Sequence, residues 1–391
     1  MCELTRIKKI IVIQLGCWGI YCQKGVIMQI SIGTSMKADV NSAVAEVIGK
    51  ANNPKLLILL CAYEHLKDAS EQIANKFPGV DLIGTSTTSY YESESSDKRM
   101  ILISFGADAE VEVGILRNLS KAPLQDIASM EQKVSKIGAG DSNTVCIEFC
   151  TNDEERLVSS MNVALEKANI PIVGGTIFGY PADATGYAML NGVLYPDACC
   201  YALIKNKTGK IRTYSELIFR PIEGANTHIA TKVNLAKKEL ISLDGRPAAD
   251  VYCEDAGVSR SELVDNVLVS PLGRVIGDEI FISSPYAIGE NGSLINYKKI
   301  NENDTIQIME LMDYDEIGAE TRRQIKEENK KISFVFSVNC IYRHLLYTQR
   351  NYLTEYLTAM KGVGPHVGII GGGEQYKKQH VNQTMVCAVF E

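Results

Sequence analysis

The segment "VDLIGTSTTSYYESES" at residues 80–95 contains an apolar, strand-like run that ends in a cluster of hydroxyl residues. The apolar run from Val80 to Ile83 stops at Gly84, and five hydroxyl residues follow at 85–89. One interpretation is a solvated turn, because Gly, Ser and Thr are ordinary loop residues. The other is a ligand cradle at the carboxyl end of a buried strand, made of backbone N–H groups and small hydroxyl donors.

The elements around this segment occur twice in the same order. The first copy contains "LLILLCAY" (56–63), an apolar run typical of a strand covered on both faces, and "EHLKDASEQIANKF" (64–77), whose apolar residues have helical spacing. The second copy contains the strand "TVCIEFC" (144–150) and the helix "TNDEERLVSSMNVALEKA" (151–168). The segment "IPIVGGTIFGYP" then matches "VDLIGTSTTSYY" of the first copy. Two equivalent turns at strand ends favour the ligand-cradle interpretation for both.

The start of the second helix has its own signal. Thr151 followed by Glu154 predicts a capping box, with acidic residues at the positive end of the helix.

These patterns predict an α/β fold with two domains. The N-terminal domain is expected at 28–219, as two tandem similar α/β units with mixed sheets at about 28–120 and 121–219. The C-terminal domain at 220–391 is expected to be α+β with largely antiparallel strands, because its apolar residues alternate.

Residues 1–27 are expected to be an appendage or an over-extended start. Basic residues precede a short apolar run, as in a secretory signal, but no A-x-A-like cleavage site follows. The run is too short to span a bilayer as a helix. We expect the organised fold to begin near Met28.

Composition narrows the class of protein. The chain has 391 residues, a net charge of −7 and no block rich in Lys and Arg, so a nucleic-acid partner is not expected. None of the eleven cysteines forms a C-x-x-C pair or a zinc-ligand spacing with His, so no metal site is expected. An odd number of cysteines in a large chain predicts a cytoplasmic protein, and no cofactor motif is present.

Eight short motifs resemble the FIST family, in order and in approximate spacing, over roughly Gln29 to Glu391. They are "IGTSTTS" (83–89), "IVGGT" (172–176), "LDGRPAADVYCEDAG" (243–257), "SPLG" (270–273), "ENGSL" (290–294), "SVNCIYR" (337–343), "GGGEQ" (371–375) and "HVNQT" (380–384). The chain departs from the family pattern at three places. Thr85 stands where Cys is frequent, Tyr90 and Tyr91 displace an acidic residue, and Tyr342 stands where Gly commonly precedes the Arg. A reactive thiol at the first turn is therefore excluded.

The resemblance implies a bacterial or eukaryotic sensory module with N- and C-terminal FIST parts. Such modules are thought to bind small ligands, among them amino acids or their derivatives, and to act with histidine-kinase, cyclase or chemoreceptor outputs. We expect a stand-alone cytoplasmic sensor, of the kind found in bacteria, that passes its state to a separate output protein. Two alternatives stay open: a cysteine- or acid/base-dependent enzyme acting on a small metabolite, and a ligand-free scaffold for a kinase or chemoreceptor.

The candidate ligand-binding residues lie at strand ends within these motifs. Arg343 would clamp a ligand carboxylate bidentately, and Glu374, after three glycines that admit close backbone approach, would receive an ammonium group. The alternatives are a surface ion pair for Arg343 and a solvated acid in a flexible hairpin for Glu374. For Cys340 a buried packing thiol is preferred over a nucleophile.

Asn382 could donate to a ligand or cap a turn, and the structural role is slightly favoured. Gly174 and Gly175 could bind an anion through their N–H groups or only permit a tight turn. The full set is Thr85, Ser86, Thr87, Thr88, Gly174, Gly175, Cys340, Arg343, Glu374 and Asn382.

Overall fold

The computed structural model describes residues 27–277 and 279–391. The predicted N-terminal appendage lies, up to residue 26, outside the described residues. The first strand of the described residues is Ile30–Ser35, and the predicted start of the fold near Met28 stays a prediction.

The helices and strands of the described residues are as follows. The helices are α1 (Val40–Ile48), α2 (Leu66–Lys76), α3 (Ile127–Ile137), α4 (Glu154–Leu165), α5 (Ala248–Ala256), α6 (Leu263–Asn266), α7 (Tyr314–Glu328), α8 (Ile341–Gln349) and α9 (Leu353–Lys361). The first thirteen strands are β1 (Ile30–Ser35), β2 (Leu56–Cys61), β3 (Asp81–Ser86), β4 (Ser89–Tyr91), β5 (Glu94–Ser96), β6 (Met100–Phe105), β7 (Ala109–Arg117), β8 (Thr144–Cys150), β9 (Ile172–Thr176), β10 (Ala188–Leu190), β11 (Val193–Tyr195), β12 (Ala198–Asn206) and β13 (Ile211–Leu217). The others are β14 (Phe219–Pro221), β15 (His228–Asn234), β16 (Glu239–Leu243), β17 (Arg246–Pro247), β18 (Leu272–Ile276), β19 (Glu279–Ser283), β20 (Pro285–Ile288), β21 (Leu294–Asn296), β22 (Thr305–Leu311), β23 (Phe334–Cys340), β24 (His366–Gly371), β25 (Glu374–Tyr376), β26 (Gln379–Val381) and β27 (Thr384–Phe390).

Three six-stranded sheets share one strand plan. Their orders are β1-β6-β2-β3-β10-β11, β7-β12-β8-β9-β25-β26 and β13-β27-β23-β24-β4-β5. In each sheet a parallel pair (β2 with β3, β8 with β9, β23 with β24) is flanked by a long antiparallel strand on one side and by a hairpin on the other. In each sheet the hairpin belongs to a different unit from the parallel pair. The second unit gives β10–β11 to the first sheet, the third gives β25–β26 to the second sheet, and the first gives β4–β5 to the third sheet. The three units therefore exchange their hairpins in a cycle.

The sequence analysis recognised two of these three units. The third occupies 334–390, and the nine-stranded fourth sheet separates it from its edge strand β13. The fourth sheet consists of β14 to β22, and all its strand pairs are antiparallel. The segment from β14 to β22, with its connections, is called the fourth-sheet region below. The predicted α/β class is confirmed, with 28% helix and 38% strand. The domain boundaries stay a prediction.

The three sheets turn their inner faces toward one shared core. Its central residues alternate along the parallel strands: Ile58, Leu60, Ile147, Phe149, Phe336 and Val338. The outer faces are covered by α1 and α2, by α3 and α4, and by α8 and α9. Because both faces are buried, these strands are apolar along their whole length, as the sequence of β2 predicts.

The predicted capping box is wrong. Helix α4 begins after Asp153, which has a left-handed backbone (φ 53°) and makes no capping hydrogen bond with its side chain. The hydroxyl of Thr151 instead accepts from the backbone N–H of Ala198 at 2.9 Å. Glu154 accepts from Lys238 of the fourth-sheet region at 2.7 Å, so its carboxylate links two parts of the fold instead of capping the helix.

A glycine lies opposite each incoming hairpin. The pairs are Gly84 with Met189, Gly174 with Gln375, and Gly368 with Tyr90. A Cβ at Gly84 would lie 2.2 Å from the carbonyl oxygen of Leu59 and 3.0 Å from the side chain of Met189. The absence of a side chain therefore permits the close strand packing on which the hairpin exchange depends.

Gly84→Ala should lower the free energy of unfolding by about 1–3 kcal/mol or more, because the added methyl meets backbone that is held by its own ladder. Gly49→Ala is the matched control, since Gly49 has a helical backbone at the end of α1 and its nearest neighbour is 3.3 Å away. Urea denaturation of both variants measures the difference. Equal stability of the two variants would contradict the packing role of Gly84.

Candidate functional site

The turns after β3, β9 and β24 meet at one end of the three sheets. The hydroxyl of Thr87 donates to the carbonyl of Ile370 at 3.3 Å, and the N–H of Ile370 donates to the carbonyl of Thr88 at 3.1 Å. The N–H of Thr176 donates to the carbonyl of Gly373 at 3.0 Å. The hydroxyl cluster and both glycine turns, which are far apart in sequence, are thus brought together.

The hydroxyl cluster is an internal feature. Thr85, Ser86 and Ser89 are fully buried, Thr87 is nearly so, and Thr88 is half-buried. The hydroxyl of Thr85 donates to the carbonyl of Ser86 at 3.2 Å, whereas the hydroxyl oxygen of Ser86 has no hydrogen-bond partner. Because these side chains are buried, the hydroxyl cluster is not the solvated turn that the sequence left open.

Gly174 and Gly175 allow the hairpin of the third unit, β25–β26, to pack close to β9. This hairpin is called the third hairpin below. In the antiparallel register Gly174 pairs with Gln375 and Gly175 pairs with Glu374. A Cβ at Gly174 would lie 2.1 Å from Oε1 of Glu148, so this glycine makes room for a buried carboxyl group. Burial raises the pKa of Glu148 to about 8.

Arg343 has a protein partner for its charge. Its Nη2 donates to Oε1 of Glu216 at 2.5 Å and its Nη1 donates to the Glu216 carbonyl at 3.1 Å. The guanidinium also lies over the rings of Tyr347 and Tyr356, 5.1 and 5.9 Å from their centroids. The ion pair is entirely buried, which rules out the surface pair considered from the sequence.

Glu374 and Cys340 form a second buried group. Oε2 of Glu374 accepts from the N–H and the hydroxyl of Thr384, at 3.2 and 2.6 Å, and Oε1 has no partner. Burial raises the pKa of Glu374 to about 8, so this carboxyl is largely neutral at pH 7. A solvated acid is thereby excluded. Burial also raises the pKa of the Cys340 thiol well above its ordinary value, so the thiol is not ionised.

Asn382 and His380 pack against Gly373. The point where a Gly373 Cβ would stand is 2.8 Å from Nδ2 of Asn382 and 3.1 Å from Nε2 of His380. Asn382 is 1% exposed and His380 is 4% exposed. Both polar atoms of the Asn382 amide and Nε2 of His380 nevertheless have no hydrogen-bond partner. Such a group of buried, unpaired polar atoms is rare in a folded protein and calls for an explanation.

A chain of hydrogen bonds leads to His380 from the fourth-sheet region. Lys238 donates to Oε2 of Glu154 at 2.7 Å, and the hydroxyl of Thr176 donates to Oε1 of Glu154 at 3.0 Å. Nε2 of Gln375 then lies 3.3 Å from the Thr176 hydroxyl and 3.1 Å from Nδ1 of His380. Although burial alone would raise the pKa of Glu154, its charged surroundings lower it, so the carboxylate is ionised.

An open cleft of about 1030 Å³ lies between the start of α4 and the fourth-sheet region. Its lining residues are Pro123, Leu124, Asn152, Asp153, Glu155, Arg156, Ser159, Ser160, Leu235, Ala236, Lys238 and Lys299. Lys238 belongs to both the cleft lining and the hydrogen-bond chain. The cleft therefore adjoins the buried residues around His380.

Two residues of this site escaped the sequence analysis. Gln375 lies in the motif "GGGEQ", directly after a residue that was selected, so its position in that motif could have found it. Lys298 donates to the carbonyl of His380 at 2.6 Å and is 9% exposed. In the sequence nothing distinguishes it from its neighbour Lys299, because only the tertiary structure buries Lys298 and leaves Lys299 half-buried at the cleft.

Comparison with known proteins identifies the family. The model of the FIST N domain matches residues 55–246 and that of the FIST C domain matches residues 248–377, which confirms the resemblance found in the motifs. FIST domains are generally sensory domains in signal transduction. A comparison with curated proteins gives no match. Among the described residues no helix is long and apolar enough to cross a membrane, and no group of His, Cys, Asp and Glu side chains has the geometry of a metal site.

Arg343→Met should lower the free energy of unfolding by about 3–5 kcal/mol, because it leaves the carboxylate of Glu216 buried without its partner. The double variant Arg343→Met/Glu216→Leu should recover most of this loss, since apolar side chains often replace a buried ion pair without cost. Urea denaturation measures both. A fully stable Arg343→Met protein that has lost its response to ligand would instead support the clamp predicted from the sequence.

Glu374 should make stability depend on pH. Folding raises its pKa to about 8, so its contribution to stability is complete below its unfolded pKa of roughly 4.3 and is lost as the pH rises toward the folded value. Glu374→Gln resembles the neutral acid and cannot ionise. The variant should therefore lose less stability than the natural protein between about pH 5 and pH 8, by a few kcal/mol. Parallel pH profiles of the two proteins in urea denaturation would refute this assignment.

Proposed function

The chain belongs to the FIST family, and from this premise we propose that it is a sensory protein that binds a small, amino-acid-like ligand and signals to a separate output protein. The observation that carries the proposal is the group of buried, unpaired polar atoms on Asn382 and His380 beside Gly373. Leaving buried polar groups unpaired costs about 1–3 kcal/mol each. A ligand that supplies hydrogen-bond partners for them would recover that free energy.

The position of the group suits a sensor. Gly373 and His380 belong to the third unit, whereas Lys238 and Lys298 come from the fourth-sheet region. A ligand bonded at this junction would contact elements of both regions. Its binding would favour one relative arrangement of them, by an amount equal to its difference in affinity for the two arrangements.

The candidate residues contribute in different ways to this proposal. Asn382 would contact the ligand directly, while Gly174 and Gly175 hold the third hairpin in place. Arg343 acts through its pair with Glu216, which fixes α8 against β13. Because Glu374 is largely neutral, it would donate or accept a hydrogen bond instead of pairing with an ammonium group.

The cellular compartment and the class of output protein can also be proposed. The described cysteines are all free, which supports a reducing compartment such as the bacterial cytoplasm. The output protein would be of the histidine-kinase, cyclase or chemoreceptor class that the family resemblance implies. The un-ionised thiol of Cys340 gives the thiol-dependent enzyme alternative no support.

Thermal-shift screening against amino acids and related metabolites tests the proposal. A ligand at 100 times its Kd should stabilise the natural protein by about 2.7 kcal/mol. Gly373→Ala should abolish the shift, because the added methyl would lie 2.4 Å from Cε1 of His380 and displace that ring.

Gly372→Ala is the matched control. Its methyl would meet only Thr176, at an ordinary 3.7 Å, so the response to ligand should persist. Asn382→Leu removes the unpaired amide without adding a backbone clash and should also abolish the shift. The proposal fails if no metabolite stabilises the natural protein, or if both Gly373→Ala and Asn382→Leu respond as the natural protein does.

A further inference from the structure

Lys298 is a buried cation without an acidic partner. Its Nζ donates to the carbonyl of His380 at 2.6 Å and lies 4.9 Å from the centroid of the Phe281 ring. Among residues 27–277 and 279–391, no carboxylate forms an ion pair with it. Buried charges are normally paired, because an isolated ion loses its hydration on burial. Burial lowers the pKa of Lys298 to about 8, which still leaves the ammonium mostly charged at pH 7.

Each of the neighbouring cations has at least one carboxylate partner. Lys238 pairs with Glu154, Arg274 pairs with Asp304, and Lys299 lies 3.5 Å from both Asp153 and Glu155. Burial holds the pKa of His380 at about 4, so the ring is neutral. Lys298 is therefore the one cation of this set with no carboxylate at ion-pair distance among the described residues, although Glu155 acts on its ammonium at longer range.

The hydrogen-bond chain fixes which nitrogen of His380 carries the proton. The carboxylate of Glu154 can only accept, so the hydroxyl of Thr176 donates to it and accepts from Nε2 of Gln375. The second hydrogen of that amide nitrogen is then donated to Nδ1 of His380. Because Nδ1 accepts, the neutral ring carries its proton on Nε2, the nitrogen that has no partner.

Three donors are therefore available on and next to His380. They are its own Nε2–H, the Nδ2 amide of Asn382, which lies with that ring beside Gly373, and the ammonium of Lys298, which bonds to the His380 carbonyl. We propose that these three residues form the subsite for the carboxylate of the ligand, with Gln375 and Thr176 as positioning residues. A ligand carboxylate would give the Lys298 ammonium, which has a single carbonyl acceptor, a directly bonded anion. A carboxylate also accepts from several N–H donors at once. Oδ1 of Asn382 remains as an acceptor for an amino or hydroxyl group near that carboxylate.

This inference rests on the proposed function and makes it more specific. It transfers carboxylate recognition from Arg343, whose charge Glu216 already neutralises, to Lys298. It also makes the carboxylate, and not the ammonium group, the obligatory part of the ligand. Short acids without an amino group should then bind, whereas their neutral amides should not.

Calorimetric titration with propionate, L-alanine and propionamide tests the subsite. The natural protein should bind propionate and L-alanine but not propionamide. Lys298→Met should weaken the binding of both acids about 10- to 100-fold, the loss expected for a hydrogen bond to a charged group. Lys298→Met should remain at least as stable as the natural protein, because methionine fills the same space without a buried charge.

Lys299→Met serves as the matched control, since Lys299 is adjacent in sequence but lies in the open cleft. It should bind both acids as the natural protein does. Thr176→Val tests the positioning role separately, because it removes the hydroxyl that orients Gln375 but no ligand contact.

Nitrogen-15 NMR of the histidine rings, assigned by comparison with His380→Gln, reports the tautomer directly. The natural protein should show Nε2 of His380 protonated, and Thr176→Val should show a mixture of tautomers with weaker binding of propionate. Full affinity in Lys298→Met, binding of propionamide equal to that of propionate, or a proton on Nδ1 would each overturn the subsite. Failure of both acids to bind, while another metabolite stabilises the protein, would overturn the subsite and leave the proposed function standing; failure of every metabolite would contradict the proposed function itself.

Discussion

The exchange of hairpins among three similar units is the constraint on which the rest of the structure depends. Each parallel pair of strands is completed by a hairpin from another unit, and a glycine at the crossing admits the incoming side chain. The exchange brings the ends of β3, β9 and β24 to one place. It also inserts the third hairpin, which carries Gln375 and His380, beside the start of α4. The candidate site is therefore a consequence of how the three units are joined.

Two buried cations illustrate how charge pairing distinguishes structural from functional residues. Arg343 has a carboxylate and a carbonyl of Glu216, together with two aromatic rings, so its charge is paired within the protein although its Nε has no hydrogen-bond partner. Lys298 has a single carbonyl and one ring. Desolvation penalises both ions, and only the first has an opposite charge within hydrogen-bond distance. In the proposal above, a ligand carboxylate would supply the direct ion pair that Lys298 lacks.

Much of the fold follows from local sequence patterns, but the arrangement of the site does not. The continuous apolar run of β2 and the spacing of apolar residues in α2 predict those elements, and the matched turns at Gly84 and Gly174 reveal two units. The third unit stayed hidden because the fourth sheet interrupts it, and because its turn contains three glycines where the first has hydroxyls. The partners of Arg343 and Lys298 were not predictable, since Glu216 and His380 lie far away in sequence and only strand pairing brings them close. Asn382 was selected by its motif, but the sequence slightly favoured a turn-capping role, and the unpaired state of its buried amide could not be predicted.

We propose that a small ligand bonds to the third hairpin while the Arg343–Glu216 pair stays intact. A crystal structure of the protein with a metabolite that raises its melting temperature is the most direct test. The carboxylate of the ligand should lie within hydrogen-bond distance of His380 Nε2 and Asn382 Nδ2, with Arg343 still bonded to Glu216. A ligand bound to the Arg343 guanidinium in place of Glu216, or one located away from residues 371–384, would contradict it.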